Sequence, residues 1–436
     1  MKAKLILLTA SVAAFLVFST QFVAADDTFE FHGYQRSSLL LNSDLQNSND
    51  SSTAAPGVLT INSNLVGRLG NEDTQYFDAE LVNKLTADDG AWAKVHLQLS
   101  SYYFDFNGSD AAKSLFLSQA FIEMGGFSFD PGSTIWIGQR NYGREDIHID
   151  DFKWRALDGA GIGAQGLLGG KLDLAFLTNS SVVSGNGTTT LPLNLQVRYK
   201  LLDSLIAEVL GGQAKNAATV TGIANGSTSG VQGSLTYYMP TLYGLPGYAT
   251  LAVQAGTGLY GVGSSNTTTG NYLYSNLGRI GNIYTYQDSQ AYRFITSGFM
   301  TVGDWDINPA VWVEYDNQTD VKNADGSAID PSAVVSAVIR PAWKLTKNVS
   351  LVFEGGVSDQ FGGMNGRAVD NSGGQAQGVS YKIAFAPTLA LDSSLLARPQ
   401  LRAFVSYEGQ DAKLGPVNAN TQNSAVMFGI QTEWWW

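Results

Sequence analysis

Cysteine is absent from this 436-residue chain, which excludes a disulfide framework, a thiolate nucleophile and a thiolate metal site. Histidine is nearly as scarce. His32, His96 and His148 are the three, none at metal-ligand spacing from another. Basic charge is short: 26 Lys and Arg stand against 38 Asp and Glu, a formal net charge of −12. Phosphate binding wants a basic face, so nucleic acid is excluded as a partner class. The chain also has no G-x-S-x-G, no H-E-x-x-H and no P-loop. Two G-x-G-x-x-G matches, Gly161–Gly166 and Gly256–Gly261, are not followed by the helix whose N-terminus would hold a pyrophosphate. No cofactor or metal is implied, and a barrel enzyme built on one of the three His has no particular Ser to point to.

Long apolar runs are missing too, with one exception. Met1-Lys2-Ala3-Lys4, the apolar stretch Leu5–Phe18 and small residues up to Ala25 read as a secretory signal peptide, residues 1–25. The run is shorter than the ~20 residues of a spanning helix, which ranks an uncleaved anchor second. Residues 26–436 then form one unit. Losing Lys2 and Lys4 takes its net charge to −14.

What is present in quantity is Gly, at 48 against 11 Pro, and aromatics, with 9 Trp and 19 Tyr. No segment of useful length has helical period; period-2 segments recur instead. In Leu193–Lys200, Leu, Leu, Val and Tyr alternate with Asn, Gln, Arg and Lys. Ala93–Ser100 and Leu401–Glu408 behave alike, the latter with one aromatic on its polar side. Such alternation fits a sandwich or a barrel. Long polar stretches (43–57, 180–190, 262–271, 316–330) interspersed with tight turns favour a transmembrane antiparallel β-barrel with long outer loops. The segment Phe428–Trp436 supports this, since it alternates to a final aromatic as a closing barrel strand does.

One stretch stands apart. Pro131–Asp158 starts as a strand around Thr134–Gly138 and breaks into Arg144-Glu145-Asp146-Ile147-His148-Ile149-Asp150-Asp151-Phe152-Lys153-Trp154. A charged run usually solvates an exposed loop; the sharper reading is that it lines a narrow polar site. PGSTIWIGQRNYGREDIHIDDF closely resembles the signature segment of the maltoporin family, the sugar-specific outer-membrane porins. Phe29–Ser37, Gly67–Glu72, Val302–Asp306, Ile339–Trp343, Ala397–Arg402 and the terminal tryptophans have counterparts there in the same order.

The resemblance implies a homotrimer of barrels in the bacterial outer membrane, each of about 18 strands, with its third loop folded into the lumen. It implies facilitated diffusion of oligosaccharides, maltodextrins or a related sugar, with membrane lipid and sugar as partners. Tyr34, Tyr76 and Trp435 fall on the family's slide of aromatics, which stack on sugar rings. Strand parity agrees, since each shares a face with charged or polar residues. Arg36, Arg68, Arg144, Asp146, His148 and Asp151 align with the polar constriction, and Asp78 or Glu80 with an acidic wall residue. Lys153 stands where the family has a tyrosine at the narrowest point. Other slide positions fall on Leu345, two residues from Trp343, and on a non-aromatic residue in 250–253. A family arginine becomes Leu117 or Ser118. An aromatic lent by a neighbouring subunit would come from Tyr102, Tyr103, Phe104 or Phe106. The alternative expectation is a general or ion-selective porin that has lost its sugar site.

Overall fold

In the computed structural model the described residues are 28–42, 61, 63–72, 75–103, 114–178, 183–185, 188–190, 192–214, 228–261, 289–318, 331–362, 377–411, 414 and 423–436. The proposed signal peptide and the stretches 43–57 and 262–271 lie outside them.

Eighteen antiparallel strands form one sheet. They are β1 (Thr28–Asn42), β2 (Gln75–Thr86), β3 (Trp92–Tyr103), β4 (Ser114–Phe127), β5 (Asp130–Arg140), β6 (Gly159–Gly166), β7 (Leu172–Thr178), β8 (Leu193–Leu202) and β9 (Leu205–Gln213). The ring continues through β10 (Ser229–Leu242), β11 (Leu245–Gly258), β12 (Ser289–Val302), β13 (Trp305–Gln318), β14 (Ser332–Lys344), β15 (Val349–Gly362), β16 (Gly378–Ala390), β17 (Gln400–Gln410) and β18 (Ser424–Trp435). Each strand pairs with its sequence neighbours. Pairing of β1 with β18, from Tyr34↔Trp435 to Asn42↔Met427, closes the barrel and leaves no edge.

The environment of the alternating faces is inverted relative to a water-soluble sheet. On β8, Leu193 and Leu195 are 45% and 53% exposed, whereas Asn194 and Gln196 are 2% and 1% exposed. Apolar residues face outward and polar ones face the lumen, as membrane spanning by a closed sheet requires. Both glycine-rich motifs lie in or at the end of strands β6 and β11; the first is followed by a four-residue helical turn, Leu167–Gly170, and then by β7, and the residues after the second lie outside the described ones.

The lumen is not empty. The third long loop, residues 141–158, folds inward as a short hairpin (Glu145–Ile147 with Phe152–Arg155) around a 3-10 turn at His148–Asp150. Its apolar side chains Ile147, Ile149, Phe152 and Trp154 pack on the inward faces of Ala252, Ile295, Trp312, Val334 and Val338. The first loop does the same, which the sequence reading did not anticipate. Its short helical turn α1 (Ser63–Val66) brings Leu65 and Val66 into that cluster. The Arg68 N–H donates to the Ile149 carbonyl at 2.9 Å, and Asn64 Nδ2 donates to the carbonyls of Asp150 and Asp151. Two loops therefore pack on one side of the lumen, and the open path lies against β18, β1 and β2.

Candidate functional site

Where the loops face that bare wall they leave a cavity of about 530 Å³. All eleven residues singled out from the sequence line it.

The aromatic part rests on strand register. Tyr34 lies opposite Trp435 on one side and Asp78 on the other, and Arg36 lies opposite Tyr76. The rings of Tyr34 and Tyr76 sit 5.6 Å apart at 56°. Trp435 is 44% exposed toward the lumen. The Arg398 guanidinium lies 4.1 Å from its centroid, and His148 meets it edge-on at 6.0 Å.

The polar part comes mostly from the two inward loops. Glu433, one inward step from Trp435 on β18, accepts hydrogen bonds from Tyr34 Oη at 2.9 Å, Arg68 at 2.9 Å, Arg398 at 2.8 Å and Arg402 at 3.1 Å. Glu72 accepts from Arg36 at 2.6 Å and Arg68 at 2.9 Å. Fully desolvated ions need such partners, and charge-assisted bonds hold the guanidiniums rigid. Asp151, whose φ of 51° is left-handed, turns its carboxylate to 4.0 Å from Arg36. Asp78 accepts from Tyr76 Oη at 2.6 Å and from the Ser100 hydroxyl. Arg144 is clamped by Asp158 and by Asn141 at 2.7 Å each.

Asp146 and Lys153 are register partners across the loop hairpin. Desolvation raises the Asp146 pKa, with Asp151 adding to it; desolvation and then Arg144 lower that of Lys153. Among the described residues neither ion-pairs with the other. Desolvation lowers the pKa of His148, and the Arg68 and Arg398 guanidiniums lower it further. Its ring nitrogens lie 3.2 and 3.4 Å from Arg68 Nη1, where a guanidinium rather than a hydroxyl nucleophile faces them. Among the described residues no group of three or more His, Cys, Asp or Glu is placed to hold a metal ion. The arrangement offers flat apolar faces on one side of an aqueous path and oriented donors and acceptors on the other.

The LamB porin family model matches residues 29–436. The chain belongs to the LamB porin family. It is 26% identical over 457 residues to Maltoporin 1 of Klebsiella pneumoniae, covering 98% of each chain. It is 27% identical over 462 residues to the maltoporin of Photobacterium profundum, covering 96% of each. Family and closed barrel together make this a multi-pass β-barrel of the bacterial outer membrane.

Other positions stay outside the cavity. Trp343 points outward and stacks on Trp305 at 6.2 Å, as a lipid-facing girdle pair, and Leu345 lies in the short turn after β14. Leu117 is exposed outside the barrel, whereas Ser118 bonds Ser100 within it. Glu80 faces His96 at 2.9 Å, away from the cavity. The side chains of Tyr102, Tyr103, Phe104 and Phe106 lie outside the described residues. The residues that sequence reasoning left without a role are Glu433, Glu72, Arg398 and Arg402. Each sits inside a family-like segment, and the polar parity of Glu433 beside Trp435 was the available signal.

Proposed function

We propose that the protein conducts oligosaccharides, maltodextrins or a related sugar, across the outer membrane by facilitated diffusion. The observation that carries this reading is Tyr34, Tyr76 and Trp435 facing one cavity opposite ionised side chains. A sugar entering a constriction loses hydrogen bonds to water, and fixed charged groups replace them best. Aromatic faces meanwhile bind any orientation of the ring's apolar side, and weakly enough for release. The names of the relatives point the same way.

Planar-bilayer conductance with a panel of sugars tests the reading. Block that saturates with sugar concentration is expected. Ordinary ion conductance that no sugar blocks would replace it with a general or ion-selective porin, the reading favoured by the missing aromatics at Leu345 and in 250–253. The homotrimer belongs to the same proposal. It is supported by small polar residues, Ser37 and Thr432, on the outward face of the β17–β18–β1 seam. Conductance that closes in thirds of the full step is its expected signature.

A further inference from the structure

A third element enters the barrel, and it comes from the short-turn end. Strand β16 stops at Ala390 and β17 starts at Gln400, leaving nine residues where the other turns at that end have two to five. The extra length folds inward. Leu395 is buried in the lumen cluster that holds Leu40, Leu69 and Phe404. Its N–H donates to Asp306 Oδ2 at 2.9 Å, and Asp306 is fixed in turn by Lys344 at 2.6 Å and the Thr301 hydroxyl at 2.7 Å. Gln400 donates to the Leu395 carbonyl at 3.0 Å, and the Ala397 N–H to the Ser394 carbonyl at 3.0 Å. Leu69 belongs to the first inward loop, so residues 391–399 meet that loop inside the barrel.

The turn carries Arg398. Its Nη1 donates to the carbonyls of Leu395 and Ala397 at 3.2 and 2.8 Å, and its Nη2 donates to Glu433 at 2.8 Å. These bonds lie in the guanidinium plane, which leaves the flat face free to lie against the Trp435 ring, 4.1 Å from its centroid. The Arg398 side chain is only 5% exposed and does not line the cavity. Trp435 does line it and is 44% exposed. A solute in the cavity therefore meets the ring, with the guanidinium behind it.

Trp435 needs such a backing. It is the last residue of β18, with a single residue after it, and its exposed side faces water rather than packed neighbours. A ring that turns freely must be ordered when a sugar stacks on it, and that ordering subtracts from affinity. A cation held against one indole face fixes the ring beforehand.

We propose that Arg398 is a positioning residue for Trp435: the inward turn 391–399 holds its guanidinium behind the indole and keeps the other face ready to stack on sugar. The inference rests on the sugar-channel reading given above. Arg398 acts through the ring and makes no contact with the sugar.

Current-noise analysis of maltohexaose block tests this in wild type, Arg398→Met, Arg398→Lys, Trp435→Ala and the double variant Arg398→Met with Trp435→Ala. Arg398→Met keeps the length and the apolar stem but loses the charge and the fork. Its block should weaken about two- to fivefold, less than in Trp435→Ala, and mainly through faster release. Arg398→Lys keeps a cation for the ring and should recover most of that loss. In the Trp435→Ala background, Arg398→Met should cost nothing further. If Arg398→Met does not assemble, Arg398→Gln gives the same comparison, since it is uncharged and keeps a donor for Glu433. Wild-type block with an unchanged constant in Arg398→Met would overturn this inference alone. So would a loss repeated in full in the Trp435→Ala background, which would mean that Arg398 acts on the sugar or through Glu433. Arg398→Lys as weak as Arg398→Met would overturn the part given to the cation. A wild-type channel that maltohexaose does not block would overturn the channel reading and this inference with it.

Discussion

Trp435 is the side chain on which the constriction reading is most easily tested. Its ring lies between the Arg398 guanidinium and the His148 edge, and it has no hydrogen-bonding duty that a smaller residue would abandon inside the cavity. Trp435→Ala should weaken sugar block about three- to tenfold and leave open conductance unreduced, read from current noise. Tyr34 needs a control, because its hydroxyl donates to Glu433. Tyr34→Phe separates the ring from that bond. Lys153→Tyr, on the second arm of the loop hairpin, should raise maltodextrin affinity if this position sets substrate choice, and an unchanged block constant would count against it. His148 supplies a pH expectation. Its pKa is lower in the barrel than in the unfolded chain, so as pH falls the unfolded state takes up the proton first. The stability it lends is intact above the free-imidazole pKa of about 6.5 and is lost as pH falls toward the lower folded value. Sugar block measured from pH 8 to 5 should therefore show no inflection near 6.5. These side chains were legible because strand parity places a lone aromatic among polar residues. Glu433 was not. Its four donors come from β1, two loops and β17, and no local pattern announces that convergence.

The inward loops are held by the wall as much as by their own apolar side chains. Arg340 and Lys382 both pair with Glu354, at 2.5 and 2.9 Å. Each member of that trio also bonds loop backbone: Arg340 to the Ile149 carbonyl, Lys382 to the Gly67 carbonyl, and Glu354 to the Leu69 N–H at 2.9 Å. Farther round, Arg293 pairs with Glu314 at 2.6 Å and donates to the Trp154 carbonyl. Buried ions thus supply partners to loop peptide groups that no sheet can satisfy. Removing one partner of a buried ion pair costs about 3–5 kcal/mol, because the other charge stays behind. Glu354→Ala strands two cations at once. It should loosen both loops, raise single-channel conductance and weaken sugar block, with faster proteolysis of residues 61–72 and 141–158 as the structural check. The third loop could be read from its charged run after a strand. The first could not, because Gly67–Glu72 has no periodicity and its inward course depends on wall residues some 270–340 positions away in sequence.

The barrel as a whole was the most legible feature, because its strands alternate and their polar side is the buried one. Leu193–Lys200 alone states both facts once its environment is known. The strand count and the closing register came from elsewhere, since hairpin pairing says nothing about which distant strands meet. Closure depends on β1 meeting β18, and Gly33 shows how tightly. Gly33 and Trp436 exchange both backbone hydrogen bonds, each at 3.2 Å. The Trp436 ring lies across the Gly33 position, where a Cβ would fall 2.2 Å from it and 2.6 Å from the Asp78 carbonyl oxygen. The same ring packs 5.5 Å from Phe31 and 6.4 Å from Phe77, so it staples three strands from the lipid side. A valine at Gly33 would displace the ring and press on the backbone, an overpacking cost of about 1–3 kcal/mol at the one seam that local hairpins do not stabilise. Gly33→Val should therefore slow barrel closure and lower the temperature at which the heat-modifiable band on gel electrophoresis converts to the unfolded form. Gly33→Val combined with Trp436→Ala should restore part of that loss, since the smaller side chain vacates the space. A double variant no more stable than Gly33→Val would show that the backbone contact with Asp78, and not the terminal ring, sets the cost of closing the barrel.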